Sequence, residues 1–287
     1  MKPQTQTTAL LLLLAVLLSC TKEEANQFDT PEFAQYACQI IPKGEVQAAS
    51  PRRPSSVSQP GSLLGIELTE SGLYVLTQLL PGEDKPQYTS GRYSVKGNYS
   101  ATGRLYTLSG YGTLEFDEGG TSEVSVSVKP VDGPAQTILA TIRKATQSSQ
   151  MYRSWNVDKT RVTVKGWTTA SADFEGCNFH EIAEFLIRNS HKAPGDVPEG
   201  YGLRSVTFTG THSVIFIYTD DTLDMGEFSL SGDSISYRWN NDTMGFTFLT
   251  DEAKVEFLDG KCLLRVDADI QHSTTSGSVT FVLSPIE

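Results

Sequence analysis

Residues that commonly carry chemistry are sparse in this sequence. Four histidines and four cysteines are spread over 287 residues, and His180, His191, His212 and His272 fall at no metal-ligand spacing. The orders Gly-x-Ser-x-Gly, a Walker loop and paired-cysteine zinc knuckles are missing. The chain therefore reads as a non-enzyme, with no metal and no cofactor. Positive charge is scarce as well: 23 Lys and Arg against 34 Asp and Glu leave a net charge of −11. Phosphate contacts need clustered Lys and Arg, so nucleic acid is not an expected partner. Past residue 18 no apolar run approaches the ~20 residues of a membrane-spanning helix.

The one apolar run that is present stands at the start. Ala9 to Leu18 follows Lys2, the only charge before it. At about 1.5 Å per residue such a run covers roughly half of a ~30 Å hydrocarbon layer, so it reads as a secretory signal over 1–19. The run ends in Leu17-Leu18-Ser19-Cys20, which resembles the lipobox of bacterial lipoproteins. That resemblance implies acylation of Cys20, cleavage before it and acylation of the new amino terminus. A single acyl chain holds a protein only marginally to a bilayer, and an N-terminal cysteine offers both a thiol and an amine. Lys22-Glu23-Glu24 then looks like the short export signal of surface lipoproteins of some Gram-negative bacteria. The expected location is lipid-anchored at the outer membrane, the cell surface ahead of the periplasmic face.

Residues 20–61 read as a lipidated tether, a short helix and a linker. Thr30 is a candidate N-cap, Pro31 suits the first helical position, and Phe33, Ala37, Ile40 and Ile41 form a stripe. Pro, Ser and Gly dominate 42–61, around the basic doublet Arg52-Arg53. From Leu63 the apolar period becomes two, and short strands broken by turn residues run to about 145. An antiparallel β domain is expected over 62–147 and a second over 150–287. Only the second holds a strong helix signal: Asn178 as cap, Glu181 three residues on, and Phe179, Ile182, Ala183 and Leu186 on one face. Removing Cys20 from the thiol count leaves Cys38, Cys177 and Cys262, enough for at most one bridge. A Cys177–Cys262 disulfide stays open, and buried free thiols are the preferred reading.

The two β domains rhyme. Gly91-Arg92-Tyr93-Ser94-Val95-Lys96-Gly97-Asn98 matches Gly226-Glu227-Phe228-Ser229-Leu230-Ser231-Gly232-Asp233 in residue type, and Leu114-Glu115-Phe116 matches Val255-Glu256-Phe257. A tandem duplication of one β-meander follows. Trp155 near the start of a first strand, the Gly-x-aromatic-Ser-aliphatic strand and a last strand Gly277–Ser284 resemble the lipocalin-like domains of envelope lipoproteins. Arg153 stands where true lipocalins have glycine. The helix after the first strands is similar to that of fatty-acid-binding proteins. The fold class is thus all-β: two antiparallel meanders, the second a lipocalin-like barrel with one inserted helix.

The remaining polar clusters are weak. His180-Glu181-Ile182-Ala183-Glu184 lacks the second histidine of a zinc helix, and both ends of it lie opposite the apolar stripe. Asp220, Asp221 and Asp224 fit a hairpin turn better than a calcium loop, and Asp267 and Asp269 belong on an outer strand face. Asp221-Thr222-Leu223, Asp233-Ser234-Ile235 and Asp242-Thr243-Met244 resemble a bacterial O-glycosylation acceptor, which implies Thr222, Ser234 and Thr243 as sites. Two roles compete. One is an anchored carrier of a small apolar ligand or glycan. The other is a surface interaction or assembly subunit that uses strand edges, freed by cleavage near Arg53. Against an open carrier stands the crowd of aromatics with inward parity: Trp155, Phe208, Phe216, Tyr218, Phe228, Tyr237, Trp239, Phe246, Phe248, Phe257 and Phe281.

Overall fold

Alternating burial along each strand builds the architecture. In Val124–Pro130 the valines 124, 126 and 128 are buried while Ser125 and Lys129 face out. The computed structural model describes residues 33–43, 62–100, 103–117, 123–145, 149–190, 201–239, 249–268 and 274–286. Cys20, Arg52-Arg53, Thr243, Phe246, Phe248 and the side chain of Trp239 lie outside them. The first barrel is an antiparallel meander of β1 (Cys38–Pro42), β2 (Ser62–Leu68), β3 (Leu73–Leu79), β4 (Gln87–Ser100), β5 (Gly103–Leu108), β6 (Gly112–Phe116), β7 (Val124–Pro130) and β8 (Gln136–Lys144). It closes by pairing β1 with β8, Cys38 opposite Lys144 and Ile40 opposite Ile142. Its interior is packed with Ile40, Leu68, Tyr74, Leu76, Tyr93, Tyr106, Leu114 and Phe116. The Tyr106 and Phe116 rings stack with centroids 5.0 Å apart.

One expectation fails here. Where a short helix was expected after Pro31, a single 3-10 turn (Ala34–Tyr36) leads into β1. Ile40 and Ile41 suit a strand, and β1 satisfies the backbone of both β2 and β8, which would otherwise be edges. The first barrel thus begins inside the segment read as tether and linker.

The second barrel repeats the plan with β9 (Ser154–Lys165), β11 (Leu203–Phe208), β12 (Ser213–Tyr218), β13 (Leu223–Ser231), β14 (Ser234–Trp239), β15 (Leu249–Leu258), β16 (Lys261–Ala268) and β17 (Ser276–Pro285), closed by β9 against β17. Between β9 and β11 the chain inserts strand β10 (Thr169–Glu175) and helix α1 (Phe179–Ser190). Asn178 Oδ1 accepts the amides of His180 at 3.0 Å and Glu181 at 3.4 Å, so it caps the helix as its sequence position implies. Phe179, Ile182, Ala183 and Leu186 are buried, and all but Ala183 join the barrel core.

The duplication extends to register. Gly91 on β4 lies opposite Tyr74, and Gly226 on β13 lies opposite Val214, each on the second residue of the preceding strand. The β2–β3 and β11–β12 turns have the same hydrogen bonds: Gly72 N to Thr69 O with Tyr93 N to Gly72 O, and His212 N to Thr209 O with Phe228 N to His212 O. Leu114–Phe116 and Val255–Phe257 both occupy the sixth barrel strand. Phe116 is fully buried there, whereas Phe257 is 36% exposed. Two closed eight-stranded antiparallel barrels of this kind fit a lipocalin-like fold. Both lie within the compact unit 31–287 and meet through β3 and β4 of one and β12 and β13 of the other, where Val75 packs with Ile215, Leu223 and Met225.

Candidate functional site on the outer face of the second barrel

The barrel interior, where a carried ligand would sit, is occupied by side chains. Trp155 is fully buried and its Nε1 donates to the Met151 carbonyl at 3.0 Å. Phe208 meets Phe228 edge to face at 5.3 Å, Phe216 meets Tyr237 at 6.1 Å, and Tyr201 meets Tyr218 at 4.8 Å. Phe179 of α1 adds its ring to the Tyr201–Tyr218 pair. The Tyr218 hydroxyl donates to Asp224 at 2.8 Å. Small barrels fill in this way when inward positions carry large side chains.

The outer surface has a different character. β9 and β10 form a hairpin whose tip is Gly166-Trp167-Thr168, and Trp167 is 102% exposed. The solvated indole presents a flat apolar face with a polar N–H at its edge. The tip is held in place. Gly166 N donates to Thr168 O at 3.1 Å, and a Cβ added to Gly166 would come within 2.7 Å of the Thr275 side chain. Below the tip, Asp173 on β10 takes a two-pronged bond from Arg161 on β9, at 2.7 and 3.1 Å. Those bonds hold its carboxyl down to about 2. Two residues before Trp167, Lys165 joins Thr163, Arg265, Asp267, Ser276 and Ser278 around a depression of 280 Å³ on the outer face of β9, β16 and β17. Gly277 and Ala268, paired across β17 and β16, also border it. The lining is three hydroxyls, two cations and one carboxylate, a set suited to a polar neutral ligand.

The sequence-expected residues are scattered around this surface. Thr222 is exposed in the β12–β13 turn, its hydroxyl donating to Asp220 at 2.6 Å, and Ser234 is exposed at the start of β14. Cys38, Cys177 and Cys262 are buried, and Cys177 and Cys262 are free thiols with no bridge between them. His180 Nε2 lies 3.5 Å from Glu184 on the solvated side of α1. Among the described residues no group of three His, Cys, Asp or Glu side chains gathers. Asp267 is on the outer face, as its strand parity implied, and lines the depression, while Asp269 lies outside the described residues. Sequence reasoning missed Trp167. Its signal was a large apolar residue directly after Gly166 and before two threonines, a turn position where burial is not available.

No family model matches the chain, and no curated protein matches it. Two chains of solved structures do. One is a protein of unknown function from the DUF3598 family of Nostoc punctiforme PCC 73102, 8% identical, with 87% of this chain and 94% of that one covered. Its TM-score of 0.17 is too low for the likeness to carry any argument.

Proposed function

We propose that this chain is a lipid-anchored envelope protein that binds a glycan on the outer face of its second barrel, without catalysing a reaction. The observation that carries the binding reading is Trp167, fully exposed at the β9–β10 tip two residues past Lys165, which lines the depression. A flat indole can cover the C–H face of a sugar ring while Thr163, Ser276 and Ser278 exchange hydrogen bonds with its hydroxyls. The filled interior argues against an apolar cargo inside the barrel. What supports the anchor is Leu17-Leu18-Ser19-Cys20 behind the apolar run. On this reading the protein is held at the outer membrane, and Lys22-Glu23-Glu24 behind Cys20 favours the cell surface over the periplasmic face. Its partners are then the bilayer, through Cys20, and a polysaccharide.

Affinity electrophoresis through gels carrying single polysaccharides tests the binding. The wild type should be retarded by at least one of them, and Trp167→Ala should run freely. Equal retardation of both proteins would end the reading. Cys20→Ser tests the anchor: the variant should leave the membrane and detergent fractions, and its persistence there would refute lipidation. A second reading, strand addition by an extended peptide, is favoured by the outer edge of β10, which pairs with no strand among the described residues. That edge carries Asp173 and Glu175, charges of the kind that keep edges from pairing, so the glycan reading stands first.

A further inference from the structure

Among the described residues, the most buried carboxyls lie between the barrels. Glu67, next to last in β2, and Glu70, in the β2–β3 turn, are 1% and 4% exposed. Both face the β11–β12 turn of the other barrel. Thr211 Oγ1 donates to Glu67 Oε1, Ser213 Oγ donates to Glu67 Oε2 at 3.0 Å, and Gly210 N donates to Glu70 Oε1 at 2.6 Å. Hydroxyls continue the contact: the half-buried Ser71 lies 2.6 Å from Ser154, which lies 2.7 Å from Thr207, and Thr209 lies 2.7 Å from Thr211. Some acceptors are left over. Glu70 Oε2 and Gln39 Oε1 are both buried without a hydrogen-bond partner, and Gln39 is the cross-strand neighbour of Glu67 on β1. A buried acceptor left unmet is costly, and a proton on either carboxyl turns one acceptor into a donor.

We propose that the junction is a proton-held clasp, in which Glu67 and Glu70 fasten the two barrels in their protonated form and loosen the junction on ionising. Burial is the largest influence on each and pushes Glu67 up to about 8 and Glu70 to about 7; the hydroxyl and amide hydrogen bonds pull the other way, and Glu70 repels Glu67. No cation figures among these causes. Among the described residues, the ionisable groups around the cluster include Tyr152, Arg153 next to the Ser154 that bonds Ser71, Arg92 on β4, Tyr93, whose hydroxyl donates to the Thr69 carbonyl at 2.8 Å, Arg143 opposite Gln39 on β8, and His212 in the facing turn. Tyr152 is itself pushed up, by burial and by Glu70. Arg92 gives its Nη1 to the Ser71 carbonyl at 2.5 Å, and His212 is exposed with its ring against Phe228. Both carboxyls hold protons more tightly folded than unfolded. Their stabilisation is therefore full below the unfolded value of about 4.3, is lost as pH rises to about 7 and 8, and is flat beyond.

Urea denaturation of the full chain between about pH 5 and about pH 9 tests the clasp. The wild-type midpoint should fall with rising pH, and Glu67→Gln with Glu70→Gln, permanently neutral, should remove most of that fall. A flat wild-type profile, or an undiminished fall in the double variant, overturns the proposal. Should the double variant not fold, hydrogen exchange on the wild type decides. After correction for intrinsic rates, protection of 69–73 and 209–213 should drop at alkaline pH relative to the barrel cores. Protection there that follows the cores at every pH also overturns it.

Discussion

Leu186→Ala is the sharpest probe of how α1 is held. The side chain is 2% exposed and belongs to the core of the second barrel with Phe179 and Ile182. An isolated twelve-residue helix is marginal in water, so packing of this face is what keeps it formed. Truncation to Ala removes three carbon groups at ~0.8 kcal/mol each, about 2.4 kcal/mol, and a residual cavity raises the loss to about 3–4 kcal/mol. For a barrel of this size the melting temperature should fall by roughly 10 °C. The neighbouring residue supplies the control: Ile187 is 39% exposed and Ile187→Ala should cost under about 1 kcal/mol. His180→Ala should cost about as little, since its contact to Glu184 is a solvated one. Thermal and urea denaturation followed by tryptophan fluorescence measures all three, because Trp155 lies in the same core. Equal losses for Leu186→Ala and Ile187→Ala would refute the inside–outside assignment of the helix.

Backbone crowding makes a second prediction: a Cβ on Gly202 would stand 1.8 Å from the Cys177 carbonyl oxygen, so Gly202→Ala should destabilise by several kcal/mol. Gly232 has open space but a φ of +64°, so Gly232→Ala should cost only about 1 kcal/mol by the same denaturation assay. Burial pushes the Cys177 and Cys262 thiols up to about 12, which leaves little thiolate at neutral pH. A thiol reagent counted by mass should therefore label neither in the native protein and both in urea. Trp167→Ala should leave the denaturation midpoint within about 0.5 kcal/mol of wild type, because the ring is solvated in the folded state. Intact mass of the protein from its own cells should exceed the lipidated chain if Thr222 or Ser234 carries a glycan, and equality of the two masses removes that assignment.

Local signals were legible where one physical cause dominated. Period-two alternation marked the strands, Asn178 and Glu181 marked the start of α1, and the Gly91 and Gly226 strands gave away the duplication that the registers display. Ile40 and Ile41 misled because a short apolar run fits either a helical stripe or a buried strand. Only closure against β8, about a hundred residues away, decides between them. Glu67 and Glu70 were hidden for the same kind of reason. In Leu68-Thr69-Glu70-Ser71-Gly72 an acid reads as a solvated turn residue, and its partner Gly210 stands on the second barrel. The 280 Å³ depression gathers residues from three strands, so no local spacing announces it.

The shared turn geometry makes Glu70 and Gly210 counterparts in the two repeats, and these two counterparts touch one another. Contact between equivalent positions is the mark of a self-complementary, two-fold interface. A pair of identical barrels would have to place the same residue on both sides of that axis. Two glutamates would crowd four oxygens into one buried spot, and two glycines would leave nothing to reach across. Joined in a single polypeptide, the copies were free to differ, one supplying the carboxyl and the other the bare amide that receives it. Covalent fusion thereby opened a bond that strict symmetry forbids, and it gives the halves a reason to stay on one chain.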